Sequence, residues 1–144
     1  MDFALTEDQR MMVDAAKSMV NKHLQPILDA ESPDRPLPKS AAISILKHCA
    51  AIGIIAARVP ENGGGAGMKL LDYGLMTEQL PLAVANVLQP QETTITRLYH
   101  GTTGEQRERI LPALMAGEKI TCTATTEPDV GSDPRGVKTR LTKE

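Results

Sequence analysis

Apolar residues recur at helical spacing along most of the chain and predict a succession of amphipathic helices. The first helix is predicted from about Thr6 to Leu24, or through Pro26 with a kink at the proline. Thr6 and Gln9 form a capping-box pattern at its start, which Phe3 and Leu5 can staple. Its predicted apolar face consists of Met12, Ala16, Met19, Val20 and Ile27.

The next two helices are bounded by prolines and glycines. One is predicted to open at Pro38, where a first-turn proline loses no hydrogen bond, and to stop at Gly53. Its predicted core face is Ala42, Ile45, Leu46, Cys49 and Ala50. The other should run from about Lys69 to Leu80. Its predicted core contacts are Leu71, Leu75 and Leu82.

The stretch from Ala83 to Leu98 is predicted as two helical pieces, because its polar middle contains the helix breaker Pro90. A last helix is predicted from about Glu105 to Ala116, with Gly117 as its stop. The pattern therefore predicts a mainly α-helical chain of about five to six helices that ends in a short β segment.

Two segments between the predicted helices are rich in proline or glycine and are predicted to be loops. The segment from Ser32 to Pro38 contains three prolines, and Pro60 to Gly67 is rich in glycine. The glycines invite a phosphate-cradle interpretation, but no Lys-Ser/Thr follows in the P-loop register, so a flexible connector is favoured. Between the loops, Ile54 to Val59 is predicted as an extended or buried connector.

Composition excludes several classes of function. The 144 residues carry a net charge of -2 and only 2% aromatic residues, so no basic or base-stacking surface for nucleic acid is expected. No apolar run approaches the length of a membrane span, and no secretory signal is recognisable. Cys49 and Cys122 stand in no metal or redox spacing, which favours reduced thiols in a cytoplasmic protein. The three histidines, His23, His48 and His100, are too dispersed to favour a metal site.

Near its end the chain changes character. Ile120 to Thr126 is rich in β-branched residues and predicts a strand, on which Thr123 and Thr125 share one face and Thr126 the other. Gly131 would allow a bulky group to approach the backbone, and Ser132 adds a polar anchor. Such a strand and turn suit a planar, charged cofactor. On the residues alone, an ordinary turn after an edge strand is slightly favoured.

The same stretch carries a family resemblance. Residues 126–133 read TEPDVGSD and resemble the Thr-Glu-Pro-x-x-Gly-Ser-Asp flavin-binding motif of the acyl-CoA dehydrogenase family. Other segments resemble that family in the same order: LTEDQ at 5–9, AIGII at 51–55, VPENGGGAG at 59–67, GTTGEQ at 101–106, LPAL at 111–114 and GE at 117–118. The resemblance implies an N-terminal helical domain over 1–117 and the start of the middle β domain over 118–144.

Family members use FAD to oxidise acyl-CoA thioesters to trans-2-enoyl-CoA, so the resemblance implies an oxidoreductase with an acyl-CoA substrate. A glutamate base removes the α-proton as the β-hydride passes to the flavin. By position, the resemblance implies cofactor contacts from Thr123, Thr125, Thr126, Gly131 and Ser132. The serine equivalent to Ser132 also lies close to the acyl-CoA ligand in relatives, which implies a substrate contact.

The chain departs from the family pattern in two places. Asp129 and Val130 replace a usual Gly-Ala pair. The polar stretch from Gln89 to Thr94 falls where relatives place an apolar helix against the acyl chain, which suggests a polar or short acyl group.

The family's base belongs to a C-terminal helical bundle, so no catalytic residue is assigned within these residues. We therefore expect this chain alone to be inactive and to hold FAD weakly. Expected partners are copies of itself or a separate subunit. The alternative is a non-catalytic helical interaction module, or a subunit completing a flavin site with another chain.

Overall fold

The computed structural model describes residues 4–142, which form six α-helices around one core. The helices are α1 (Glu7–Met19), α2 (Gln25–Asp29), α3 (Lys39–Ala51), α4 (Leu70–Thr77), α5 (Leu82–Gly101) and α6 (Gly104–Met115). Short 3₁₀ turns occupy Ile54–Ala56, Glu61–Gly63 and Pro134–Gly136. The predicted mainly α-helical fold is confirmed. Phe3, predicted to staple α1, lies outside the described residues.

The first predicted helix is confirmed, including its cap and its passage through the proline. Thr6 Oγ1 accepts from the Gln9 N–H at 3.2 Å, and Gln9 Oε1 accepts from the Thr6 N–H at 3.1 Å. A π-helical turn, Val20–Leu24, joins α1 to α2. Pro26 has no N–H to donate, and the wider turn absorbs this loss, with the Gln25 N–H bonded to the Val20 carbonyl.

The core lies among α1, α3, α4, α5 and α6, with the buried segment after α3 packed against α3 and α5. Its fully or almost fully buried members include Ala16, Met19, Leu24, Ile45, Leu46, Cys49, Ile54, Ile55, Val59, Met76, Val84, Leu88, Ile95, Leu111 and Leu114. The predicted faces of α1 and α3 agree with this core, and Ile54 to Val59 is the buried connector expected.

The predicted core face of α4 was wrong in part. Leu71 is 65% exposed, and Leu82 is 76% exposed at the start of α5. The buried positions are Met76 and Leu80, with Tyr73 packed against the core on the same side. Leu71 lies two residues from Tyr73, which puts it on the opposite side of so short a helix.

The expected break near Pro90 was also wrong, because α5 is a single helix of 20 residues with Pro90 inside it. Pro90 and the residue four before it, Asn86, are both exposed. The carbonyl that loses its helical donor therefore faces water, where the loss costs least. The polar residues beside the proline, Gln91 and Glu92, are fully buried.

The predicted strand from Ile120 to Thr126 does not form as a paired strand. Within the described residues, the β structure is limited to one isolated antiparallel bridge between Glu127 and Val130. A strand needs a neighbour to accept and donate its backbone hydrogen bonds, and residues 4–142 supply none for this segment.

Candidate functional site

The candidate segment, residues 120–139, leaves the helical core beside α5 and is tied to it by side chains. The Gln91 amide accepts from the Thr121 N–H at 2.8 Å and donates to the Lys119 carbonyl at 2.8 Å. The hydroxyls of Thr94 and Thr123 share a hydrogen bond of 3.2 Å. These contacts run from one face of α5 to the start of the segment.

The five residues that the sequence analysis assigned to a cofactor are all exposed. Thr123, Thr125 and Thr126 stand on one arm, and Gly131 and Ser132 stand on the other arm of the turn closed by Glu127 and Val130. Within residues 4–142, the hydroxyls of Thr125, Thr126 and Ser132 have no hydrogen-bond partner. These donors are therefore available to a ligand.

Gly131 has no role in packing the described chain. A Cβ added there would meet no heavy atom within 4 Å, and Gly131 is not one of the glycines with positive φ. The fold itself thus does not require glycine at this position. The open space fits the close approach of a cofactor, which was the reason for singling out Gly131.

The turn is closed by Glu127, whose carboxylate binds the returning chain. It accepts from the Lys138 N–H at 2.9 Å, the Thr139 N–H at 2.8 Å and the Thr139 hydroxyl. The Thr139 hydroxyl, followed by the two N–H groups, holds the pKa of Glu127 below its usual value. Asp129 instead pairs with Lys138 Nζ at 3.4 Å, so the two acidic side chains bind local groups and do not act as a pair.

A buried ion pair lies on another side of α5. Glu92 is fully buried and accepts from Arg58 Nε at 2.9 Å and Nη2 at 2.6 Å, and from the Thr96 hydroxyl at 3.0 Å. The hydrogen bond to Glu92 raises the pKa of Arg58. Burial, and then the Glu92 charge, raises the pKa of Tyr73 to about 12. Sequence reasoning missed this pair, although Glu92 continues the apolar spacing of Val84 and Leu88.

The glycine-rich connector is packed, and two of its glycines are in close contact with neighbouring groups. A Cβ on Gly63 would lie 2.3 Å from the Tyr99 ring, and one on Gly65 would lie 2.2 Å from the Val59 carbonyl oxygen. These glycines allow the connector to sit against α5 and the preceding turn. A surface cleft of about 600 Å³ beside it is lined by residues including Asn62, Tyr99, Arg107, Leu111 and Met115.

The histidines and cysteines form no metal site. No group of three or more His, Cys, Asp or Glu residues in the described chain could hold a metal ion. His23 and His48, far apart in sequence, stack with ring centroids 4.7 Å apart. Cys49 is buried, and burial raises the pKa of its thiol to about 12, whereas Cys122 is exposed. None of the helices from residue 4 to residue 142 is long and apolar enough to span a membrane.

Curated proteins similar to this chain include enzymes that are named for CoA thioesters. An acryloyl-CoA reductase (NADH) of Anaerotignum propionicum is 30% identical over 142 residues, covering 96% of this chain and 35% of the relative. A mitochondrial isobutyryl-CoA dehydrogenase of Dictyostelium discoideum is 30% identical over 97% of this chain and 33% of the relative. The chain thus spans about a third of the length of these relatives.

Solved structures share the fold. A glutaryl-CoA dehydrogenase from Mycobacterium smegmatis superposes with a TM-score of 0.77 at 26% identity, over 98% of this chain and 36% of that one. A glutaryl-CoA dehydrogenase from the same organism in complex with FADH2 gives a TM-score of 0.73 at 26% identity, over 94% and 35%. The family model described as "Acyl-CoA dehydrogenase, N-terminal domain" matches residues 6–118. The chain therefore belongs to the acyl-CoA dehydrogenase family and carries its N-terminal helical domain.

Proposed function

We propose that this chain supplies the N-terminal part of an FAD-dependent enzyme that converts an acyl-CoA thioester to the trans-2-enoyl-CoA. Family membership supports the reaction class. The observation that carries the proposal to this chain is the set of available donors at Thr125, Thr126 and Ser132. FAD, when bound, accepts the hydride removed from the acyl group.

The proposed division of labour follows from the resemblance of residues 126–133 to the family's flavin-binding motif. Thr126, with backbone help from Thr125 and Thr126, would hold the pyrimidine edge of the flavin and would stabilise the negative charge of the reduced ring. Thr123 and Gly131 shape the same wall. Ser132 would hold the cofactor pyrophosphate and would lie near the acyl-CoA. Residues 1–117 form the helical domain, and 118–144 begin the middle β domain.

No residue of this chain is assigned as the catalytic base. We propose that the base and the rest of the flavin pocket come from a middle and a C-terminal domain, either on one polypeptide or on a partner subunit. Assembly with copies of the chain or with such a partner belongs to the same proposal. The two cysteines, neither in a disulfide, support a cytoplasmic location.

The acyl group is proposed to be short or polar. Gln91 and Glu92 are fully buried and hydrogen-bonded within the chain, so they do not line a pocket. The half-buried Thr93 and Thr94 lie beside them and are the polar groups of α5 that an acyl chain would meet. An extended apolar chain would find few apolar partners there.

The experiment that tests the proposal is flavin retention. The purified chain should emerge from gel filtration without stoichiometric flavin absorbance. It should retain flavin and oxidise acyl-CoA once the polypeptide supplying the other two domains is present. Flavin retention without turnover would favour the alternative of a non-catalytic subunit. No flavin in either sample would refute the proposal.

A further inference from the structure

The side chain of Gln91 uses every hydrogen-bonding position it has. Nε2 donates to the carbonyls of Leu114 at 3.1 Å and Lys119 at 2.8 Å. Oε1 accepts from the Thr121 N–H at 2.8 Å and the Thr121 hydroxyl at 3.2 Å. A primary amide offers two donors and two acceptor lone pairs, so the Gln91 side chain can form no further hydrogen bond. Gln91 is also fully buried, which makes each lost bond costly.

These four bonds join three parts of the chain. Gln91 lies in the middle of α5, Leu114 is in the last turn of α6, and Lys119 and Thr121 begin the segment that carries the cofactor candidates. One turn further along α5, the Thr94 hydroxyl meets the Thr123 hydroxyl. Thr121 and Thr123 are two residues apart, so the same side of the segment faces α5 at both points.

We propose that Gln91 is a positioning residue that sets the register of the segment leading to Thr125 and Thr126. The inference rests on the proposed function. Because the described residues provide no strand to pair with this segment, hydrogen bonds from α5 fix where it starts and which side faces out. A shift of one residue would turn Thr126 to the opposite side and remove its hydroxyl from the flavin edge.

The neighbouring residue provides a matched control. Glu92 is equally buried and its loss also weakens α5, but its hydrogen bonds go to Arg58 and Thr96. Glu92→Gln therefore perturbs the core without touching the segment. Gln91→Leu replaces the amide with an apolar side chain of similar size. Thr121→Pro removes both the N–H and the hydroxyl that bind Gln91 Oε1, and it changes no residue of the helices.

The first measurement is amide hydrogen exchange of the chain by NMR, which needs no cofactor. Gln91→Leu should accelerate exchange at Thr121 about tenfold or more relative to amides of α3, because a buried hydrogen bond is lost. Glu92→Gln should leave that ratio unchanged. Equal ratios in both variants would overturn the inference. If Gln91→Leu does not fold, Thr121→Pro carries the test through the second measurement.

The second measurement is flavin affinity and flavin reduction potential in the protein assembled with the other two domains. Gln91→Leu and Thr121→Pro should weaken flavin binding about tenfold and shift the potential, whereas Glu92→Gln should change neither. If the unaltered protein binds flavin and neither Gln91→Leu nor Thr121→Pro changes the flavin properties, the inference is overturned but the proposed function stands. Absence of flavin from the unaltered protein would overturn the proposed function and the inference with it.

Discussion

Arg58 and Glu92 form a two-pronged ion pair, with Nε–Oε1 at 2.9 Å and Nη2–Oε2 at 2.6 Å, across the junction between α5 and the buried segment after α3. The Glu92 side chain is 0% exposed and that of Arg58 is 33% exposed. Thr96 donates to the same carboxylate. The pair thus satisfies a charge that is otherwise wholly enclosed by the core.

Removing the cation should therefore destabilise the fold strongly. Arg58→Ala leaves the Glu92 carboxylate buried with only a hydroxyl donor. The expected loss is about 3 kcal/mol, the low end for breaking a buried pair, because water reaches the arginine side. Urea unfolding followed by circular dichroism measures it.

The matched variant replaces both charges. Arg58→Met with Glu92→Leu should recover most of the loss, since buried pairs can be exchanged for apolar residues at little cost. A loss from Arg58→Ala within about 0.5 kcal/mol, as for ordinary surface changes, would contradict the role assigned to the pair.

Replacement by alanine should destabilise the fold at Gly65 but not at Gly131. Gly65→Ala would put a Cβ 2.2 Å from the Val59 carbonyl oxygen, and backbone must move to make room. We expect a loss of about 1–3 kcal/mol in the free energy of unfolding. Gly131→Ala meets no atom within 4 Å, so stability should change by less than about 0.5 kcal/mol.

Flavin binding, unlike stability, should be sensitive to the substitution at Gly131. In the assembled protein, Gly131→Ala should weaken flavin binding while its unfolding curve matches that of the unaltered protein, because the methyl group occupies space reserved for the cofactor. Equal flavin retention by Gly131→Ala and the unaltered protein would argue that the glycine serves neither fold nor ligand.

How far the sequence predicts this molecule depends on whether the information is local. The Thr6 cap, the apolar face of α3 and the Gly117 stop follow from spacing within a few residues, and all are present. Pro90 and the polar residues after it suggested a break, because a sequence pattern cannot reveal that Gln91 and Glu92 have partners 23 to 34 residues away. Those partners turn an apparent interruption into buried contacts within one helix.

The candidate site shows the same division. The motif at residues 126–133 identified the segment, and the structure shows that Glu127 and Asp129 bind groups of the same turn and its returning chain. The hydrogen bonds between Gln91 and Thr121 depend on how α5, α6 and the segment pack together, so the spacing of residues in the sequence could not indicate them. The predicted strand failed for a related reason, because pairing depends on a neighbour that residues 4–142 do not provide.

Acidification should loosen the turn that carries the motif. The folded turn lowers the pKa of Glu127 from 4.5, so its contribution is fully present above that value and is lost as pH falls through the folded pKa. Below about pH 4.5 the Lys138 and Thr139 amide signals should shift together, and both amides should lose protection relative to the intrinsic exchange rate at each pH. Two-dimensional NMR across this range measures both.

Glu127→Gln is the control for that titration. It keeps an oxygen acceptor but has no proton to gain, so the Lys138 and Thr139 amides should lose their coordinated response to acid. The same acid response in Glu127→Gln and in the unaltered chain would contradict the assignment of the titration to Glu127.

Acyl-CoA preference is the remaining expectation, and it depends on the polar character of α5. If the stretch from Gln89 to Thr94 lines the acyl pocket, a medium-length alkyl chain must give up apolar burial worth about 0.8 kcal/mol for each methylene that meets a polar group. The assembled protein should therefore turn over short or polar acyl-CoA thioesters with a higher kcat/KM than medium-chain ones. Thr93→Val, which keeps the shape and removes a hydroxyl that bonds no group within residues 4–142, should raise the medium-chain value. A clear medium-chain preference in the unaltered protein would show that this stretch of α5 does not set the substrate.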